Sequence, residues 1–573
     1  ERVETVVSAD DFQEESANQI VFDVGRTAPH RNGLTLSSMT MSDGRIITES
    51  AATYEDCGVA EVPTPADLQA LGRRGVYFPC ATANEITHKE GLTNAADWKT
   101  VRTEMTYDGY GNVVLNASLG VVGVDGDEQY TASEYVSPTS RWLLGLNSRV
   151  RVYNAPNIPD FAEILTYYDG EAFVGLPTGE ATEGFISRVT RKISTDGRVI
   201  NTKRARRDVH GNTVELIDPN GTLADATAHR RLYTFDATGF FLITTDLAVG
   251  DHVLRRESRF ERDFQRVTEA TQWMLVQNGE LMSNRDSTSF RYDEFGRQLA
   301  EIQPGDDPAT PSIVFSYALG NPISVIRRQS RSTTNGALDE EMITCLDGRG
   351  RNYQVRERIA DGRYQVSGFK AYNARGVVVQ EWQPWVASAG ACDFDVPSGV
   401  LSLTSKFDAT GRTLEMTRPG AAVHGEDTVS RYAYRPLVTE AYDAEDNLAS
   451  GNHADTPMIT THDGLGRMIA IERTAVENGS LVRSGNTLHY DSTGTFAGYT
   501  NAAGQRHEIV TDLMGRTLEV RNPNFGTIAF DYDDASNVVA RTDGRGRVTR
   551  RVYDAQNRLI ERYDEADRAN TLV

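Results

Sequence analysis

An all-β architecture built from repeated β-hairpins follows from three features of this 573-residue chain. The pattern Asp-x-x-Gly recurs along it, at Asp108, Asp208, Asp218, Asp236, Asp293, Asp347, Asp408, Asp463, Asp491, Asp512 and Asp543. Toward the C-terminal end the recurrence becomes regular, with Asp491, Asp512, Asp533 and Asp554 each 21 residues apart. The flanks are rich in Val, Ile, Thr, Tyr and Phe, which suit a pleated surface. A fixed internal period decides the architecture before other arguments are weighed.

The units are read in chain order. Tyr107-Asp108 leads to Gly111-Asn112, and Tyr292-Asp293 leads to Gly296-Arg297. Phe407-Asp408 leads to Gly411-Arg412, His462-Asp463 to Gly466-Arg467, and Thr511-Asp512 to Gly515-Arg516. Tyr490-Asp491 is followed by Gly494, Tyr532-Asp533 by Ser536, and Tyr553-Asp554 by Asn557. An Asp ending a strand accepts a hydrogen bond from backbone N–H groups about two residues on and nucleates a turn. The Gly supplies a positive φ where a short hairpin loop closes around a type I turn. Asn tolerates the same backbone region, which accounts for Asn557. A second turn falls near mid-period, at Ala503-Gly504, Asn522-Pro523-Asn524 and Asp543-Gly544-Arg545-Gly546. One unit is therefore two strands and two turns.

Roughly four hundred residues at this density make on the order of forty strands, or nearly 200 Å of ribbon at the usual strand spacing. Open twisted sheets rarely pass about ten strands without curling or splitting. The ribbon must wind on itself, break into blades or stack as a solenoid. The apolar pairs after the turns, Val538-Val539 and Leu559-Ile560, place apolar side chains on both faces. That suits a curved wall covered in part on each side, so a hollow or trough-like β-shell is expected.

The Tyr-Asp units with Gly-Arg or Gly-Asn in the turn resemble the YD repeats of the Rhs family. That family includes bacterial polymorphic toxins, the B and C components of insecticidal toxin complexes, and the teneurins. Ser140-Arg141-Trp142-Leu143-Leu144-Gly145-Leu146, followed by Arg149-Val150, is similar to a stretch of the toxin-complex B component. Tyr167-Tyr168-Asp169-Gly170 and Gly175-Leu176-Pro177-Thr178-Gly179 resemble another segment of that component. The resemblance covers roughly residues 100–573 and implies a spiralling β-sheet that closes a hollow cocoon around a toxic C-terminal cargo. It divides the chain into an N-terminal, mainly β region, 1–100, and a repeat shell, 101–573, with the most regular units at 488–573. The Asp-Pro-x-Gly-x-x-x-Gly type motif that marks the shell's end and its self-cleavage site in the family is not found, and the chain is expected to be a segment of a larger protein.

Composition narrows the classes. The mean hydropathy of −0.45 leaves no run near the roughly 18 apolar residues a membrane helix requires. A net charge of −22 argues against a general nucleic-acid surface. The one basic knot, Lys203-Arg204-Ala205-Arg206-Arg207, reads as a solvated loop between strands. Cys57, Cys80, Cys345 and Cys392 have no zinc-like spacing. Cys57–Cys80 and Cys345–Cys392 can pair in an exported protein, and free thiols are an equal alternative. The His residues are scattered, without a zinc-hydrolase motif or a serine nucleophile elbow; His462 and His489 read as strand residues. Asp306-Asp307 and Asp125-Gly126-Asp127-Glu128 read as turns with solvated carboxylates, not calcium loops. Trp382-Gln383-Pro384-Trp385 reads as a strand-to-turn junction in a core. One helix-like stretch stands at Pro65–Leu71, and the likeliest internal boundary is Val121–Pro138.

These readings predict a non-enzymatic protein without cofactor or metal. The first functional class is the wall of a YD-repeat shell in a secreted bacterial toxin. Its partners would be the toxin cargo or the remainder of the same polypeptide, and other toxin-complex subunits. The second class is an extracellular or cell-surface adhesion array that recognises glycan or protein on another cell.

Overall fold

Strand formers punctuated by Asp and Gly turns give a chain of hairpins. The structure is a computed structural model that describes residues 2–7, 16–25, 29–58, 77–137, 142–155, 161–320, 322–420, 427–448, 451 and 453–572. Among these residues there are 44 strands, and the only helical elements are two short 3-10 turns, Pro29–Arg31 and Ala95–Asp97. The strands form two antiparallel sheets, of 27 and 17 strands, and neither closes on itself. The expected helix-like stretch Pro65–Leu71 lies outside the described residues.

The regular C-terminal units pair in chain order. Arg506–Thr511, Thr517–Asn522, Gly526–Tyr532, Val538–Thr542, Val548–Tyr553 and Leu559–Asp564 each hydrogen-bond to the next. Register slips by one residue immediately before the Asp-bearing turn, at Asp531/Tyr532 and Val552/Tyr553, as it does at Thr106/Tyr107 and Arg291/Tyr292. The slip is the bulge that a Gly or Asn in the left-handed region introduces at the end of a short hairpin loop. The mid-period turns fall where the sequence places them, at 501–505, 522–526 and 543–547. Val538 and Val539 are half-buried, whereas Leu559 and Ile560 are exposed.

The chain divides into two compact units. Unit 1 comprises residues 1–230, 408–412 and 431–573. One of its buried clusters joins Val136, Tyr168 and Ala181 to Leu143, Leu146 and Ile186, so part of the Trp142–Leu146 stretch is core. Unit 2 comprises residues 231–407 and 413–430. Its cluster is Ile343, Cys345, Tyr353 and Phe369, against which Trp382 and Trp385 pack. Phe369 meets Trp382 edge to face with centroids 5.1 Å apart, a favoured aromatic geometry. The Trp-Gln-Pro-Trp junction is core, as its sequence suggests.

The cysteine alternatives resolve into two disulfides, Cys57–Cys80 and Cys345–Cys392. The second fastens the segment after Trp385 onto the unit 2 cluster. There Tyr353 Oη donates to the Asp393 carbonyl at 3.0 Å, and the buried Arg356 guanidinium reaches the Ala389 carbonyl and the Asp393 carboxylate, both at 3.0 Å.

The basic knot departs from its expected form. Lys203–Arg207 is not a solvated loop but the second half of the strand Val199–Arg207, with Ala205 and Arg204 buried. Arg204 gives its guanidinium protons to the carbonyls of Asp218 at 2.6 Å and Gly221 at 2.7 Å, and Arg206 pairs with Glu215 at 3.0 Å. Turn carbonyls left over by the next loop solvate the cation inside the protein, which is why a basic run can be internal here.

Candidate functional site

The repeated turn is the feature that the fold multiplies, and each motif residue has one task in it. At Asp512 the backbone N–H donates to the Arg516 carbonyl at 3.0 Å, and Gly515 N–H returns to the Asp512 carbonyl at 2.9 Å. Asp512 Oδ1 accepts the N–H groups of Met514 and Arg516, at 2.9 and 3.0 Å. Oδ2 takes the Arg516 Nε–H at 2.6 Å. Gly515 sits at φ 83°, where a Cβ is strained. Ser536 and Asn557 hold the same position at φ 69° and 62°.

The turn also couples to the unit that follows. The Arg516 guanidinium lies over the ring of Tyr532, 5.1 Å from its centroid, and Tyr532 Oη donates to the Thr517 carbonyl at 2.9 Å. Arg467 over Tyr490, Arg412 over Tyr434, Arg351 over Tyr372 and Arg297 over Tyr317 repeat the stacking. Tyr107, Tyr292, Tyr490 and Tyr553 repeat the hydroxyl-to-carbonyl bond, at 2.7–3.1 Å. Burial raises the phenol pKa of Tyr107, Tyr292, Tyr490 and Tyr532, which keeps the hydroxyl a donor.

Most motif positions named from the sequence lie in such a turn; Asp218 does not, since its N–H donates to the His229 carbonyl, and the Asp236 loop is one residue longer. Asp108 is closed by Asn112 Nδ2 and Asp533 by Asn537 Nδ2, both at 2.9 Å, while Arg closes Asp293, Asp408, Asp463 and Asp554 at 2.6–2.7 Å. Asp491 Oδ1 holds the N–H groups of Thr493 and Thr495, and its Oδ2 accepts from Thr511 Oγ1 at 2.9 Å. Gly111, Gly296, Gly411, Gly466 and Gly494 all have positive φ. For Asp293 and Asp554, burial would raise the carboxyl pKa, but the N–H groups and Arg within each turn hold it below its ordinary value.

Within unit 1 a second layer of contacts joins the later turns to the earlier part of the chain. The N–H one position after the motif Asp has no acceptor inside its own turn. In three turns it finds one far away in sequence: Ala409 N–H donates to Ser42 Oγ at 3.1 Å, Gly464 N–H to Asp127 Oδ2 at 2.9 Å, and Leu513 N–H to the Ile193 carbonyl at 3.1 Å. Arg412 bridges its own Asp408 to Glu90, with Nη1 and Nη2 at 3.0 and 2.7 Å from the Glu90 carboxylate. Its pKa is raised: burial alone would lower it, but Glu90 and Asp408 outweigh that. Gln129 Nε2 donates to the Thr493 carbonyl, and Asn220 joins Asp533 and Ala535. Asn557 Nδ2 reaches the Asp218 carboxylate at 2.9 Å. The partners lie 315 to 367 residues apart for the backbone N–H bonds to Asn220 and Ser42. From Ser42 to Asn220 the partners advance as the turns do, and the last two turns, at Asp533 and Asn557, share the one site at Asp218–Asn220.

Sequence reasoning did not find the receiving side of this seam. Asp127 is buried and accepts from Val121 N–H as well as Gly464, so the expected solvated turn at Asp125–Glu128 is instead a docking post. Gly464 reads as a filler in the motif, yet a Cβ there would lie 2.3 Å from the Val121 nitrogen. Outside the seam, Asp169 is a local anchor: its carboxylate accepts from Thr182, Glu183, Gly184 and Phe185 N–H at 2.7–2.9 Å. Burial pushes its pKa up, but the four N–H donors hold it below the ordinary value. Asp306 and Asp307 serve loop donors at Asn335 and Ala309. Among the described residues no group of three or more His, Cys, Asp or Glu is placed to hold a metal ion. His462 and His489 are strand residues lining a cavity of about 490 Å³ beside Asp127 and Leu437.

With this geometry established, residues 532–569 match the family described as RHS Repeat. The chain carries an RHS repeat. Solved structures share the fold over nearly the whole chain. A TcdB2-TccC3 crystal structure aligns with a TM-score of 0.77 at 13% identity, over 98% of this chain and 37% of that one. TcdB2-TccC3 without its hypervariable C-terminal region gives 0.78 at 12%, over 98% and 38%. A Photorhabdus luminescens Tc holotoxin pore with a substitution in TccC3 gives 0.77 at 12%, over the same shares. The chain thus spans under two fifths of the solved chains it matches. No curated protein matches its sequence. Among the described residues no helix is long and apolar enough to cross a membrane.

Proposed function

We propose that this RHS-repeat chain is a wall segment of a hollow toxin-complex shell, which encloses a toxic cargo carried by the same polypeptide or a partner and helps to deliver it. The observation that carries this reading is the seam. Turns from the later hairpins seat on the earlier ones in matching order, as expected of a ribbon wound against itself. The load is spread over many similar Asp turns, which favours a structural part over an active site, so the wall has no catalytic activity and uses no cofactor. Export follows from the same reading, and two disulfides suit an oxidising compartment. Electron cryomicroscopy of the full-length polypeptide that contains these residues, with limited proteolysis of its C-terminal region, tests the proposal. A lumen holding protease-resistant density is expected. A solid particle, or separate blades around an axis, overturns it.

A further inference from the structure

Unit 2 holds a cleft of about 500 Å³ at a point where two paired strands part. Leu242–Val249 and His252–Glu261 form a hairpin whose register runs from Val249 opposite His252 to Thr244 opposite Glu257. Beyond Glu257 the first strand no longer pairs with the second. On its other edge the second strand changes partner at the same place, from Met274–Gln277 to Arg266–Thr271. The diverging ends, Phe241 to Thr244 and Glu257 to Phe260, line the space that this leaves. Its volume suits a small guest, for which pockets run to roughly 300–1,000 Å³.

The lining has an apolar part and a cationic part. Phe241 and Phe260 stack with centroids 5.1 Å apart, and Ile243 adds to the apolar wall. Arg259, Arg262 and Arg285 also line the cleft. Two of these cations are neutralised: Arg259 pairs with Glu269 at 3.1 Å, and Arg285 with Glu257 at 2.7 Å. Arg262 is not. Its side chain is 72% exposed, and the one carboxylate near it among the described residues, that of Asp236, lies 3.7 Å away. A well-made Arg–carboxylate bond is about 2.7–2.9 Å. Nor does Asp236 depend on Arg262: Thr238 Oγ1 donates to it at 2.7–2.8 Å, and the N–H groups of Phe240 and Phe241 donate at 3.1 and 3.2 Å. The Arg262 guanidinium therefore stands in the cleft with its paired donors unused.

We propose that this cleft binds a small aromatic carboxylate, with the ring against Phe241, Phe260 and Ile243 and the acid on the Arg262 guanidinium. The stacked Phe pair offers a third ring an offset or edge-on contact. The planar fork of Arg262 matches the two oxygens of a carboxylate. A ring without an acid leaves Arg262 unmatched, and an acid without a ring leaves the apolar wall wet, so the lining selects a molecule that carries both. None of these residues takes part in the seam, and the site is independent of the shell reading.

Ligand-observed NMR titration of the 573-residue chain with 3-phenylpropanoate, 3-phenylpropanol and acetate reads the two parts of the site separately. The aromatic acid is expected to bind with a Kd of about 1 mM or tighter. The alcohol should bind at least about tenfold more weakly, and acetate not measurably. Arg262→Gln, at an exposed side chain that the fold does not use, should lower the acid to the affinity of the alcohol. Ser258→Trp, which fills the cleft from its own lining, should abolish binding of the acid. An acid that does not bind, one that binds no better than the alcohol, or one whose binding is untouched by either variant overturns the proposal.

Discussion

The turns at Asp512 and Asp293 have the same internal hydrogen bonds but different surroundings. Asp512 is buried, and Leu513 gives its N–H to Ile193. Asp293 is half-buried at the base of a turn whose next residues, Glu294 and Phe295, face solvent. Local sequence therefore sets the turn, while burial is set by what lies against it. Stability should concentrate where the turns are seated, although the motif is spread along the whole chain.

The strongest break should come at the closest approach. Gly464→Val places side-chain atoms against the Val121 and Gly120 backbone, which cannot shift cheaply, and should cost about 3 kcal/mol or more in urea unfolding. Gly411→Ala meets nothing within 4 Å and should lose only the left-handed strain, about 1–2 kcal/mol. Equal losses would mean that the approach at Gly464 is not as described. Next, Asp512→Ala strands the half-buried Arg516 and two N–H donors and should cost about 3 kcal/mol. The matching Asp293→Ala should cost clearly less in the same titration, and a reversed order would refute the contrast.

Unit 2 has its own fastening. Replacing Cys345 and Cys392 with Ala opens a loop of 47 residues and should lower stability by about 2–4 kcal/mol. Tryptophan emission should report the change through Trp382 and Trp385. A smaller effect is expected from Asp169. Its folded pKa lies below the ordinary 3.8, so its stabilisation is present above that value and is lost as pH falls through the folded pKa. Asp169→Asn should flatten the acid limb of the stability profile; an unchanged limb would show that the four N–H bonds contribute nothing there. The mildest test is Tyr532→Phe, which removes one hydroxyl-to-carbonyl bond and should cost about 1 kcal/mol.

The turns were legible in the sequence because their determinants are local. Asp, Gly and Arg act within five residues, so Gly411, Gly466 and Gly515 could be assigned positive φ from spacing alone. The seam was not legible, because Ser42, Glu90 and Asp127 carry no motif, Asn220 is a variable position inside one, and all four meet their partners only after hundreds of intervening residues fold. Charge misled in the same way at Lys203–Arg207. The run looked wet because the carbonyls that solvate Arg204 belong to the following loop. Only the doubled glycine at Gly464 and Gly466 could have hinted at a contact.

The link between Arg516, Thr517 and Tyr532 gives the ribbon a direction in time. Tyr532 covers the guanidinium of the preceding turn and caps a carbonyl of the preceding strand, so each hairpin is finished by a residue that belongs to the next. On the ribosome, a unit that has already emerged must wait for the following tyrosine before it is complete. Nascent chains should therefore mature in steps of one repeat, from the N-terminal end onward, with the newest hairpin always the loosest.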